Sequence, residues 1–198
     1  MKSEKESKVL DAAEVVFMRY GFRRVTMHDI ASEANMSRPA LYLTFCNKED
    51  IFKAAILRRA RRHLAEIREG VNDLPTTEEK LKFAFEVWSV RGFELMSTMP
   101  DAKELFSCTL EFAGDMIQQL SADFEQQVAS TLEPVVASAE RQPLTATQIA
   151  HLLNTSVHGF KETASSVSEL RVMIHGMIGL ILGGLATAPM NANSTAKQ

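Results

Sequence analysis

The residues best equipped for recognition chemistry lie between Thr26 and Phe45, where the chain reads TMHDIASEANMSRPALYLTF. Ser37, Arg38, Pro39, Ala40, Tyr42 and Thr44 fall off the apolar face of a short helix, at its start and outer side. That is the end of a recognition helix that enters the major groove of duplex DNA. Other chemistry has weaker support. His151 and His158 are seven residues apart, ~10 Å along a helix and too far to share one metal. His175 has no evident acid partner, so all three histidines read as core or interface groups. The two cysteines, Cys46 and Cys108, make neither a disulfide framework nor a multi-cysteine zinc site. Cys108 is a redox sensor or, more simply, inert packing. No phosphate loop, nucleophile elbow or paired-carboxylate motif occurs. The expectation is a protein with no catalytic residue, no metal and no cofactor.

Those recognition residues need helices to hold them, and the sequence supplies helices throughout. Sustained strand alternation is absent. Val9, Ala13, Phe17 and Tyr20 step by three or four, giving a helix over 5–20 that ends at Gly21. Thr26 and Asp29 form a capping-box variant, with Val25 and Ile30 as its hydrophobic staple. Asn35 suits a left-handed turn. Ser37 caps the next short helix, whose first turn holds Pro39. A long helix follows over 48–69. Two very short helices joined by a tight turn are the layout of a helix-turn-helix.

Composition narrows the class. The chain has 198 residues, 45% hydrophobic and 24% charged, ordinary globular values that exclude wholesale disorder. The formal net charge is -3, but it is unevenly spread. Residues 1–69 carry 14 Lys/Arg against 10 Asp/Glu, and residues 70–198 carry 8 against 15. A basic head therefore precedes an acidic body. Met1 leads straight into Lys2, Ser3, Glu4, Lys5 and Glu6 with no leader pattern, so a reducing cytoplasmic setting is expected. The apolar run Val172–Ala186 is interrupted by His175 and four glycines. It falls short of the ~18–20 residues a membrane span needs, so no membrane partner is expected.

The head resembles the DNA-binding domain of the TetR (tetracycline-repressor) family of bacterial transcription regulators. The family pattern is met by Thr26, Ile30-Ala31, Ala34-Asn35-Met36-Ser37, Leu41-Tyr42, Phe45 and Lys48-Glu49. Asn35 stands where the family has a turn glycine and Met36 where it has valine; asparagine tolerates the left-handed backbone better than most residues. The resemblance covers the first third of the chain in detail. It implies that Thr26, Tyr42 and Lys48 hold phosphates, and that Ser37, Arg38, Pro39 and Ala40 face base edges or the adjoining backbone. Arg38 is the candidate guanine reader, because its planar fork matches two acceptors on that base; a phosphate contact is its other reading. Tyr42 has the alternative of filling the motif's core, Lys48 that of a solvated first-turn cation, and His28 that of an idle surface group beside a backbone contact. The run Arg58, Arg59, Arg61 and Arg62 either extends the phosphate footprint or pairs with acids one helical turn away.

The resemblance also implies an all-α architecture: a three-helix helix-turn-helix domain joined by a long fourth helix to a helical ligand-binding and dimerisation domain. The expected divisions are 3–63 for the DNA-binding domain, with the motif at 26–45, 72–188 for the C-terminal domain, and 189–198 for a disordered tail. Helical patterning predicts a helix from Thr76 to Met99, one over 101–140 kinked or split near Gly114 and Pro134, and capped helices opening at Thr145 and Ser166. A homodimer would space two heads one DNA turn apart, ~34–36 Å, on a palindromic operator. Its interface is expected on the last two helices, at Leu152, Leu153, Phe160, Ile174, Met177, Ile178, Ile181 and Leu182. An apolar effector pocket is expected from Phe85, Trp88, Phe93, Met96, Phe106, Phe112, Met116, Met173 and Met177, although Met and Phe at helical spacing also build plain core. Arg91, Glu94 and Glu111 are its candidate polar anchors, or exposed residues. The function this implies is a repressor released by a small, largely apolar effector that binds the non-DNA state more tightly. The alternative is a helical adaptor that acts mainly through protein partners.

Overall fold

The structure is a computed structural model that describes residues 2–98, 102–139 and 143–186. Helices account for its ordered elements, and no strand occurs among the described residues. They are α1 (Lys2–Tyr20), α2 (Met27–Glu33), α3 (Arg38–Tyr42), α4 (Lys48–Gly70), α5 (Thr77–Phe85), α6 (Arg91–Ser97), α7 (Ala102–Ser138), α8 (Ala146–Thr163) and α9 (Val167–Ala186). A single 3-10 turn spans Val71–Asp73, and a π-helical turn, Glu86–Val90, joins α5 to α6. The chain forms two compact units, one of residues up to Ala65 with Gly92–Ala122, the other of Glu66–Arg91 with residues from Asp123 onward.

In the first unit, α1 packs on α2 and α2 on α3. The core is aromatic at its centre: Phe22 meets Phe52 at 5.0 Å and Phe112 at 5.2 Å, and Phe17 meets Phe52 edge-on at 5.3 Å. Such ring pairs add to the gain from burying their area. Ile30, Ala31 and Leu41 close the core from the two short helices. Cys108 is buried beside them, and burial pushes its thiol pKa up, the condition of an unreactive packing residue. Phe112, expected in an effector pocket, packs half-buried against this core; its sequence signal, an aromatic at helical spacing, does not separate the two roles.

The second unit is built around α9. Its inward stripe, Leu170, Ile174, Ile178 and Leu185, is buried against α5, α8 and the π turn. Phe124 of α7 lies 5.1 Å from Phe85 and stacks on Trp88 at 4.8 Å. Phe85 and Trp88 thus pack on the same ring, that of Phe124. Arg171 donates from Nε and Nη2 to the two oxygens of Glu86, at 2.9 and 2.8 Å, and this pairing holds the Glu86 carboxyl below its ordinary pKa.

Several expectations change at this level. α7 is not split: Gly114 and Pro134 both lie inside one continuous helix. Leu120, Phe124, Val128 and Leu132 are buried at every fourth position, so packing of one face continues up to the proline and outweighs its missing donor. The span opened by Thr76 is interrupted by the π turn, and Met99 lies outside the described residues. α9 begins at Val167, and with 20 residues and a mean hydropathy of 1.4 it is long and apolar enough to cross a membrane. The expected shortfall in length is therefore corrected, although its buried stripe is that of a core helix. Leu153, Ile174 and Ile178 are 1%, 1% and 0% exposed, so they face the protomer's own core and are unavailable to a partner. Leu152 is exposed and Phe160, Met177, Ile181 and Leu182 are half-buried. Val172 and Leu180, 69% and 77% exposed, are apolar positions on the outer face that the expected interface omitted. The 189–198 tail lies outside the described residues.

Lys161, in the last turn of α8, has its pKa lowered to about 8 by burial. Below that pH both folded and unfolded chains carry the proton and the cost of burying the charge is complete. Between about 8 and the ordinary ~10.4, the folded chain is neutral while the unfolded chain is still charged. Stability contributed by this group therefore rises over that window. Lys161→Met is expected to add about 1–3 kcal/mol at pH 7, at ~1.4 kcal/mol per pKa unit, and to flatten the rise. Urea unfolding of both proteins from pH 7 to 10 checks this; an identical slope in the variant contradicts it.

Candidate nucleic-acid interface

The helix-turn-helix is fixed by local hydrogen bonds that its residue types dictate. The Thr26 amide donates to Asp29 Oδ2 at 2.8 Å, and the Asp29 amide donates back to Thr26 Oγ1 at 3.3 Å. This reciprocal box starts α2. The Thr26 hydroxyl also donates to Asp29 Oδ2 at 2.7 Å. These bonds, the hydroxyl first and the amide second, hold the Asp29 carboxyl below its ordinary pKa. Asn35 takes a φ of 49°, the left-handed conformation that the turn requires and that asparagine tolerates. Its neighbour Met36 donates its amide to Ala31 at 2.8 Å. Ser37 then caps α3, accepting from the Ala40 amide at 3.3 Å.

This geometry sorts the side chains of α3. Leu41 is completely buried and orients the helix. Ser37, Arg38, Pro39 and Tyr42 are exposed, and Ala40 and Thr44 half-buried. Tyr42 is 47% exposed, so it does not fill the core of the motif. Thr26 and His28 are exposed at the start of α2. Leu43, 87% exposed, adds an apolar tip to the same surface. Sequence periodicity missed it, since a leucine this near Leu41 reads as core; only its place two positions on, about half a helical turn away, signalled otherwise.

Lys48 is employed differently from a solvated or phosphate-holding cation. Its Nζ donates to the carbonyls of Phe22 at 3.0 Å, Val25 at 3.0 Å and Arg23 at 3.3 Å. It also sits 4.4 Å from the centre of the Phe22 ring, a cation–π distance. An ammonium has three donors, and all three are directed at the segment between α1 and α2. Glu104 of α7 holds the same segment from another side, accepting the Arg23 amide at 2.8 Å.

The arginine run also differs. Arg58 pairs with Asp11 at 2.8 Å and Glu14 at 2.9 Å, and Arg62 pairs with Glu14 at 3.1 Å. The acids lie on α1 rather than one turn away on α4, so these charges brace two helices instead of extending a phosphate footprint. Arg91 pairs with Glu66 at 2.8 Å.

The residues expected to make one effector pocket divide between the two units. Phe93, Met96, Phe112 and Met116 fall in the first unit and Phe85, Trp88, Met173 and Met177 in the second. The Phe106 side chain lies outside the described residues. Met96 is the member that lines the apolar cavity of the first unit. Metal-binding groups of three or more His, Cys, Asp or Glu are absent among the described residues.

Comparison with known proteins agrees with this geometry. Residues 9–55 match the family described as "Bacterial regulatory proteins, tetR family". The HTH-type transcriptional regulator YfiR of Bacillus subtilis is 28% identical over 125 residues, 53% of this chain and 61% of that protein, so the chain spans less than two thirds of it. The nicotine-responsive transcriptional repressor HdnoR of Paenarthrobacter nicotinovorans is 24% identical over 146 residues, covering 72% of this chain and 73% of that one. The fold matches that of SmeT, the repressor of the Stenotrophomonas maltophilia multidrug efflux pump SmeDEF, with a TM-score of 0.65 at 19% identity over 95% of this chain and 97% of that one. These relatives are transcriptional regulators, not enzymes. Residues 9–55 thus build a module similar to that of the tetR family of bacterial regulatory proteins.

Proposed function

We propose that the protein is a cytoplasmic, sequence-specific DNA-binding repressor that works as a homodimer and is released from a palindromic operator by a small, largely apolar effector. The observation that carries the reading is the arrangement of α3: Leu41 is buried, while Ser37, Arg38, Pro39 and Tyr42 are turned to solvent. A helix of this kind has no structural use for its polar outer face, and base edges and phosphates are the partners that suit it. The residues proposed to meet DNA are Thr26, His28, Ser37, Arg38, Pro39, Ala40, Tyr42 and Thr44, with Leu43 placed to touch a thymine methyl. The DNA-binding part is taken as 3–63 and the effector and dimerisation part as 72–188, although Gly92–Ala122 groups with the first compact unit. Leu152, Val172 and Leu180 supply exposed apolar area for a partner protomer. Gly176, Gly179 and Gly183 have open space where a side chain would stand, so a second backbone has room to approach.

Selection from a random duplex library tests the reading. The expected outcome is enrichment of an inverted repeat whose half-sites lie about one helical turn apart, with affinity falling steeply as salt rises. Enrichment of no sequence, or binding indifferent to salt, refutes it.

A further inference from the structure

The first unit holds a partly open cavity of about 210 Å³ between α1, α4, α6 and α7. Phe17, Phe52, Met96 and Leu105 give it an apolar wall, and Arg59 and Glu14 stand on the same wall. The two charges are unequally satisfied. Glu14 accepts from Arg58 at 2.9 Å and from Arg62 at 3.1 Å. Arg59, among the described residues, donates only to the Met18 sulfur, at 3.7 Å, and thioether sulfur is a weak acceptor. A guanidinium carries five donors and keeps its charge, so leaving it half-buried against apolar side chains with no carboxylate hydrogen-bonded to it is costly. Burial pulls its pKa below the ordinary arginine value, although Glu14 acts in the opposite sense.

A ligand that relieves this cost carries one negative charge on a planar, two-oxygen head, which the guanidinium grips bidentately. The neighbouring Glu14 carboxylate repels a dianion, which disfavours a phosphate monoester. The volume is below the ~300–1,000 Å³ of sites for drug-sized molecules, so the apolar body is short. We propose that this cavity is a binding site for a small amphiphilic carboxylate, such as a medium-chain alkanoate, with Arg59 holding the carboxylate and Phe17, Phe52, Met96 and Leu105 covering the tail. The site stands independently of the DNA reading, but if that reading holds it supplies a chemical class and a location for the effector.

Calorimetric titration of the full chain with octanoate, octanol and octylammonium, each below its micellar concentration, reads the site without DNA. Octanoate is expected to bind saturably, at least tenfold more tightly than either analogue. Arg59→Met is expected to remove that preference, bringing octanoate to the affinity of octanol. Gly92→Leu provides a second variant. Gly92 lines the cavity on the same helical face as Leu95 and Met96, a Cβ there meets nothing within 4 Å, and leucine is the better helix former. It fills the space with Arg59 intact and is expected to weaken octanoate at least tenfold. Equal affinity for octanoate and octanol, no saturable binding to the folded wild type, or unchanged octanoate affinity in both variants overturns the proposal. Failure of DNA selection alongside octanoate binding refutes the repressor reading and leaves this site standing; DNA selection without octanoate binding does the reverse.

Discussion

Replacing Arg38 and Tyr42 together with alanine lowers affinity for the selected operator about a thousandfold and leaves the fold unchanged. Each side chain is exposed on α3, so neither truncation opens a cavity, and surface changes of this kind shift stability by only about ±0.5 kcal/mol. A bidentate base contact is worth about 1–3 kcal/mol and each phosphate contact contributes to affinity at all sequences. Two heads lose both contacts at once, giving roughly 4 kcal/mol or more, and each ~1.4 kcal/mol is tenfold. Fluorescence anisotropy across a salt series separates the two roles of Arg38. If Arg38 reads a base, Arg38→Ala alone relaxes sequence preference with the salt slope intact. If it holds a phosphate, the slope falls by about one and the preference stays. A double variant within threefold of wild type contradicts the assignment of α3 as the reading element.

Lys48→Met is expected to destabilise the protein by about 2–4 kcal/mol. The ammonium satisfies the carbonyls of Phe22, Arg23 and Val25 together, and hydrogen bonds involving a charged group are worth about 1.5–3 kcal/mol each. Methionine restores the apolar stem but none of the donors. The Arg23 carbonyl is exposed and regains water, which keeps the loss below the sum of three bonds. Urea unfolding measures it. The same variant tests the phosphate role implied by family resemblance: if Lys48 is chiefly a DNA ligand, affinity drops while the unfolding midpoint holds. The geometry predicts the opposite, a lowered midpoint with an unchanged salt slope for the protein that remains folded.

The contrast between Lys48 and its surroundings shows which information was local. Thr26, Asp29 and Ser37 act on amides three positions away and Asn35 acts through its own left-handed backbone, so their residue types disclosed the caps and the turn. Lys48 acts on carbonyls 23–26 residues earlier, and no spacing rule announces that. Glu14 with Arg58 and Arg62 is a pairing of the same long-range kind, which explains why acids one turn away were expected instead. The helix stripe of α9 was readable, but a broad apolar face does not say which side meets the protomer's own core. Ile174 and Ile178 took the inside, and Val172 and Leu180 were left outside. The effector residues were least legible, because methionine and phenylalanine serve packing and ligand contact with the same atoms. The charge that marks the cavity, Arg59, sat within a run of which Arg58 and Arg62 pair with acids of α1.

Glu104 gives α7 a handle on the start of the reading module. Its carboxylate holds the Arg23 amide, two residues before the staple residue Val25 and three before the cap of α2. That bond ties the first turn of α7 to the chain just ahead of α2.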